Sequence, residues 1–136
     1  MILFVDDEPF YVDSYVDDLK DAGFDVLSQK RIAAAMKAFE EQQAQVDLII
    51  IDIIMPSDGV VDDTQGDLRT GFAFFDWVRH RSPNLPVIVL TNASASDVDQ
   101  KFVAQPRCRL VRKDQCLPFE LVQHVQELLG IVPNDR

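Results

Sequence analysis

Asp6 and Asp7 stand directly after the apolar run Ile2-Leu3-Phe4-Val5, and Asp52 stands directly after Leu48-Ile49-Ile50-Ile51. If both runs are strands of an open parallel sheet, their carboxyl ends meet at the edge where the strand order reverses and ligands bind. Three carboxylates then converge on one spot. Like charges held that close either raise one another's pKa or share a cation, so the chemistry this set can do is to hold a hard divalent ion.

The elements that must position them alternate from the first residue. Ile2 to Val5 reads as a buried strand, and Glu8-Pro9 opens a helix that runs to about Ala22, with Pro at the first helical position and Gly23 ending it. A short strand, Asp25 to Ser28, precedes an Ala-rich helix over Ile32 to Gln43. Leu48 to Ile51 does not alternate in polarity, which marks a strand covered on both faces, as in parallel sheets. A helix over Phe72 to Arg81 follows, then the strand Val87 to Leu90 framed by Pro83 and Pro86. A short helix over Ser96 to Ala104, the strand Cys108 to Arg112 and the helix Pro118 to Leu129, ended by Gly130, complete five β/α units. The expected fold is a doubly wound α/β domain: a five-stranded parallel sheet in the flavodoxin-like order 2-1-3-4-5, with helices on both faces. It takes in residues 1–130, with 131–136 as a C-terminal tail or linker stub.

Composition narrows the function. With 136 residues, 47% of them hydrophobic, the chain can build one core. A formal charge of −10 disfavours a nucleic-acid or anionic-membrane surface, since phosphate binding needs Lys and Arg. No apolar stretch approaches the ~20 residues of a membrane span and no basic leader opens the chain, so a cytoplasmic location is expected. Cys108 and Cys116 have neither metal-ligand spacing nor the density of a disulfide framework, and reduced thiols are the default.

Val5-Asp6-Asp7-Glu8-Pro9, Ile51-Asp52-Ile53-Ile54-Met55-Pro56, Leu90-Thr91-Asn92 and Val111-Arg112-Lys113 occur in the order found in response-regulator receiver domains, and in this combination the chain resembles that family over almost its whole length. The resemblance implies that Asp52 is the phosphoacceptor. It also implies that Asp6, Asp7, Asp52 and the backbone carbonyl of Ile54 hold Mg²⁺. A carboxylate can attack a phosphoryl group, but the transferring group spreads negative charge over its oxygens and needs cations, here Mg²⁺ and Lys113. Thr91 would donate its hydroxyl to a phosphoryl oxygen. The implied donor is a phosphohistidine on a sensor histidine kinase or a histidine phosphotransfer protein. The implied output is a protein surface switched toward a downstream partner, with a phosphorylation-dependent dimer as one form. Such a domain is a signalling module that promotes its own phosphorylation and dephosphorylation, not a metabolic enzyme.

Plainer readings accompany these residues one by one. Asp7 or Glu8 could cap the first helix, Asp52 could be a solvated strand end, Thr91 an ordinary strand residue, and Lys113 part of a solvated strip with Arg107, Arg109 and Arg112. That strip could equally steer an acidic partner. Trp77, with Phe72, Phe74, Phe75 and Val78, reads as helix packing, and His80 and His124 fall outside the cluster. Two rivals to a phosphorylated switch remain: a receiver-like interaction module that is never phosphorylated, and an Mg²⁺-dependent aspartyl-nucleophile phosphohydrolase. The latter needs an acid/base Asp where Ile54 stands.

Three departures from the family pattern stand out. Asp114, not proline, follows Lys113, so a trans peptide and a differently shaped loop are expected. Leu110 occupies the strand position that often carries an aromatic switch residue. An acidic insertion, Pro56 to Thr70, separates the Met-Pro pair from the next helix and reads either as a lid or recognition element or as a tolerated excursion. Whether the chain is a stand-alone regulator or the receiver of a larger protein is open.

Hydrolysis of an acyl phosphate needs a water held in line with the phosphorus, and side chains flanking the site orient that water. The flanking positions are Ile54 and Ala93, neither of which can hydrogen-bond a water through its side chain, and a long acidic loop carrying Asp58 and Asp62 is repelled by a phosphoryl group rather than drawn to it. Phosphorylated protein is therefore expected to be long-lived, and Ile54→Asn to release phosphate several-fold faster. Counting phosphate release from labelled protein checks this, and rapid loss from the wild type would sink it.

Overall fold

The computed structural model describes residues 1–52, 70–92 and 107–131. The sheet has five parallel strands, β1 (Ile2–Val5), β2 (Val26–Gln29), β3 (Leu48–Ile51), β4 (Val87–Thr91) and β5 (Cys108–Arg112), in the order β2-β1-β3-β4-β5. Helices α1 (Pro9–Asp21), α2 (Ile32–Gln42), α3 (Thr70–Arg81) and α4 (Pro118–Leu129) cover it. The expected fold class and strand order are those observed. The helix expected over Ser96 to Ala104, the insertion up to Arg69, and the tail from Val132 lie outside the described residues.

Why the strands read as unbroken apolar runs is visible in the packing. Alternate residues of each strand enter two separate cores. Leu3, Val5, Ile49, Ile51, Val87 and Val89 pack against Ile32, Ala35 and Phe39 of α2 and Phe72, Phe74, Phe75 and Val78 of α3. Ile2, Phe4, Leu48, Ile50, Ile88 and Leu90 pack on the other face against Val12, Tyr15, Val16 and Leu19 of α1 and Leu121 and Val125 of α4. A strand with apolar partners on both faces has no solvent side to mark with polar residues.

Caps set where the helices stop. Gly23 adopts φ +99, a conformation costly for a side chain-bearing residue, and its N–H and that of Phe24 bond back to the carbonyls of Lys20 and Leu19. Gly130, at φ +70, closes α4 in the same way, with Ile131 bonding to Gln126. At the other end of α4 the Glu120 carboxylate accepts the Leu117 N–H at 2.8 Å. Observed boundaries differ from the sequence expectations by a residue or two. Thr91 belongs to β4, and the residues after Gln42 form a 3₁₀ turn, Gln43–Gln45.

The basic strip of β5 is partly used to attach α4. Arg109 pairs with Glu127 at 2.5 Å and lies 3.0 Å from Nδ1 of His124, while Arg107 donates to the Leu128 carbonyl. Burial and the adjacent Arg109 guanidinium hold the His124 pKa below its ordinary value.

Trp77, the sole tryptophan, meets Phe39 of α2 edge-on with ring centroids 5.6 Å apart and stacks on Phe74. Phe39 is fully buried. Phe39→Ala is expected to lose about 3–5 kcal/mol of unfolding free energy and to shift the Trp77 emission. Urea unfolding followed by fluorescence measures both.

Candidate functional site

Four polar side chains are buried among the described residues, Asp6, Asp52, Thr91 and Lys113, and all four lie at one edge of the sheet. They are the residues immediately after β1 and β3, the last residue of β4, and the residue immediately after β5. The parallel register accounts for this: Val5 pairs with Ile51, Ile51 with Val89, and Thr91 with Arg112, so β1 and β3 end level and β4 and β5 reach two residues further along the same edge. The Asp52 N–H donates to the Val5 carbonyl at 3.0 Å, tying β3's exit to β1.

Asp52 is gripped from two sides. Thr91 Oγ1 donates to Asp52 Oδ1 at 2.8 Å, and Lys113 Nζ donates to Asp52 Oδ2 at 2.8 Å. The same ammonium lies 2.8 Å from Asp6 Oδ2 and 3.3 Å from Glu8 Oε1. Glu8 also donates its backbone N–H to Asp6 Oδ1 at 2.9 Å. Asp6, Glu8 and Asp52 each offer a carboxylate oxygen within 4.8 Å of the others.

The electrostatics are unbalanced. Three carboxylates surround one ammonium, leaving two negative charges in excess. At such separations each like-charge pair costs roughly 3–4 kcal/mol at an effective dielectric constant of about 20. Burial pushes the Asp6 carboxyl up to about 6 from 3.8, against the hydrogen bonds from Lys113 and from the Glu8 N–H that favour its ionised form. Burial alone would lower the Lys113 ammonium, but its hydrogen bonds to Asp52 and Asp6, together with their charges, outweigh it and raise its pKa. Asp7, half-buried, is raised chiefly by burial and also by the Asp52 charge.

Mg²⁺ fits this donor set. Carboxylate oxygens are the ligands it prefers, the excess charge equals that of one divalent ion, and the Lys113 ammonium already marks a cation position among them. Of the residues singled out from sequence, Asp6, Asp52, Thr91 and Lys113 are brought together. Asp7 is not one of the converging trio, and the Ile54 carbonyl lies outside the described residues. Glu8 is the member that sequence reasoning treated as a cap. It does sit at the N-cap of α1, but its side chain makes no cap hydrogen bond and turns to Lys113 instead.

The Lys113–Asp114 peptide is trans, as the absence of proline predicts, and Lys113 opens a 3₁₀ turn, Lys113–Gln115. Lys113 nonetheless reaches Asp52, so the departure from proline does not cost that contact.

The response regulator receiver domain family matches residues 2–126, and the chain belongs to that family. Its fold is shared with the chemotaxis protein CheY4 of Vibrio cholerae (26% identity, 93% of this chain and 96% of that one, TM-score 0.73). It is shared too with a CheY-like receiver domain protein of Methanospirillum hungatei JF-1 (19%, 95% and 92%, TM-score 0.75) and a receiver domain protein of Clostridium thermocellum (21%, 95% and 93%, TM-score 0.72). No curated protein matches the chain.

Between about pH 4 and pH 6 the folded protein binds a proton at Asp6 that the unfolded chain has released, so in chelator this residue makes stability fall as pH rises through that window. The stability difference between wild type and Asp6→Asn is expected to change in that direction across the window and to be flat above it. Urea unfolding at pH 4.5 and 6.5 measures it, and a difference independent of pH would remove the assignment.

Proposed function

We propose that this receiver domain is a phosphoacceptor in a two-component phosphorelay, with Asp52 taking a phosphoryl group from a phosphohistidine on a sensor kinase or phosphotransfer protein. The observation that carries the reading is the double grip on Asp52: Thr91 on one carboxylate oxygen, Lys113 on the other, at a buried strand edge with excess negative charge.

Attack by an Asp52 oxygen forms an oxygen–phosphorus bond as the nitrogen–phosphorus bond to the donor imidazole breaks. The electron pair leaves with the imidazole nitrogen, which takes up a proton. Lys113 is placed to neutralise charge on the incoming oxygens, and Thr91 to donate its hydroxyl to one of them. Asp6, Asp7 and Asp52 with the Ile54 carbonyl would hold Mg²⁺, and the geometry adds Glu8. When bound, the ion supplies further charge neutralisation and alignment of the phosphoryl oxygens.

A phosphoryl group replaces one negative charge by about two and adds three acceptor oxygens. Lys113 and Thr91, now bonded to Asp52, would follow those oxygens and bias a pre-existing equilibrium between two surface states read by a downstream protein. Residues 1–130 would form this switch, with 131–136 as tail. The acidic charge argues against direct contact with nucleic acid, and no helix among the described residues is long and apolar enough to cross a membrane. A cytoplasmic setting suits a phosphorelay.

Incubation with a labelled small phosphodonor is expected to modify the wild type in Mg²⁺, to fail in chelator, and to leave Asp52→Asn unlabelled. Equal labelling of Asp52→Asn would overturn the assignment of the acceptor.

A further inference from the structure

Lys113 is the first residue of a short turn that carries its side chain into the carboxylate cluster, so the position of the ammonium depends on what holds that turn. Packing holds part of it, since Cys116, which closes the turn, is buried in the core shared by α1 and α4. A pocket of about 780 Å³ lies beside the turn, lined by Ser14, Tyr15, Gln115, Leu117, Pro118 and Glu120 among others. No proline stiffens the backbone after Lys113 either.

Two side chains from other elements hold the rest. From α1, the buried hydroxyl of Tyr15 donates to the Cys116 carbonyl at 2.6 Å and lies 3.5 Å from the Lys113 carbonyl. From the end of β4, Asn92 Oδ1 accepts the Asp114 N–H at 3.0 Å. The Lys113 carbonyl and the Asp114 N–H are the two ends of one peptide group. Asn92 holds the N–H end of that group, an N–H that a proline at position 114 would lack, and Tyr15 holds the turn at its close through the Cys116 carbonyl.

We propose that Tyr15 and Asn92 form a two-sided clamp on the turn begun by Lys113 and are positioning residues for phosphoryl transfer to Asp52. The proposal rests on the phosphoacceptor reading above. Asn92 directly follows Thr91, so the clamp also ties the two groups that grip Asp52 to one another. Loosening it lets the ammonium wander from the point where phosphoryl charge develops, while the carboxylates that would hold Mg²⁺ stay in place on their own strand ends.

The test compares wild type, Tyr15→Phe, Asn92→Ala and Asn92→Asp as full chains, in phosphoryl uptake from acetyl phosphate and in Mg²⁺ affinity by calorimetry. Uptake transfers the phosphoryl group to an Asp52 oxygen and releases acetate. Tyr15→Phe and Asn92→Ala are each expected to slow uptake by about 3- to 10-fold, the range of one neutral hydrogen bond. Asn92→Asp, which keeps an oxygen acceptor, should retain most of the rate. Mg²⁺ affinity should hold or tighten in the slowed variants, because a loosened ammonium competes less for the carboxylates. Wild-type rates in both variants would overturn the clamp, and so would rate and affinity falling together, which marks general loosening of the fold. A wild type that takes up no phosphoryl group would instead remove the phosphoacceptor reading and the clamp's role with it, whereas uptake by wild type and none by Asp52→Asn leaves only the clamp in question.

Discussion

The Lys113 ammonium, buried against Asp6 and Asp52 and within reach of Glu8, is the interaction on which the strand-end edge of this domain depends. Two carboxylates nine-tenths or more buried within a few ångströms of each other would repel strongly with nothing between them. A lysine placed there makes the edge foldable in the absence of any other cation. It does so incompletely, because one positive charge faces three negative ones, and the Asp6 carboxyl stays raised, chiefly by its burial and in lesser part by the Asp52 charge, despite its bond from Lys113. Buried ion pairs seldom add much stability, since desolvation consumes most of the attraction. Under the function proposed above, this cluster would be a set of charges kept ready for a divalent ion and a phosphoryl group.

The hydrophobic architecture makes such readiness affordable. Each of β1, β3 and β4 is buried on both faces between two cores, so the strand ends are held by packing that owes nothing to the charges. The charged edge can then lose or gain an ion without moving the strands. What can move is what lies just past them: the N-cap residue Glu8, 46% exposed at its side chain, and the turn begun by Lys113.

Much of this was legible in the residues. Unalternating β-branched runs followed by Asp, and proline or glycine at helix ends, report local preferences that the tertiary structure does not override, so the sheet and the convergence of Asp6 and Asp52 could be read directly, whereas Thr91 and Lys113 came from the resemblance to receiver domains. Glu8 could not. A residue before Pro9 at a helix start is by default a cap, and only the three-dimensional approach of Lys113, far along the chain, turns its side chain away from that duty. Arg109 was ambiguous for a similar reason: on an edge strand its polarity suggests an outward partner, yet Glu127 rises beside it from α4. Asn92 follows Thr91 and Tyr15 sits on the apolar face of α1, but neither signals its hydrogen bond in the sequence, because what they bind is backbone.

Leu110 gives these contacts added weight. With no aromatic ring in that position on β5, no aromatic rotamer there can relay a change at Asp52 outward. A hydrogen-bonded route from Asp52 among the described residues runs through Lys113, its turn, and Tyr15 to α1, and through Cys116 into the start of α4. Helices α1 and α4 share one core, so displacement of the turn presses on both at once. A switch built this way would be read on the face formed by those two helices, where Leu117 and Phe119 already stand exposed beside the turn.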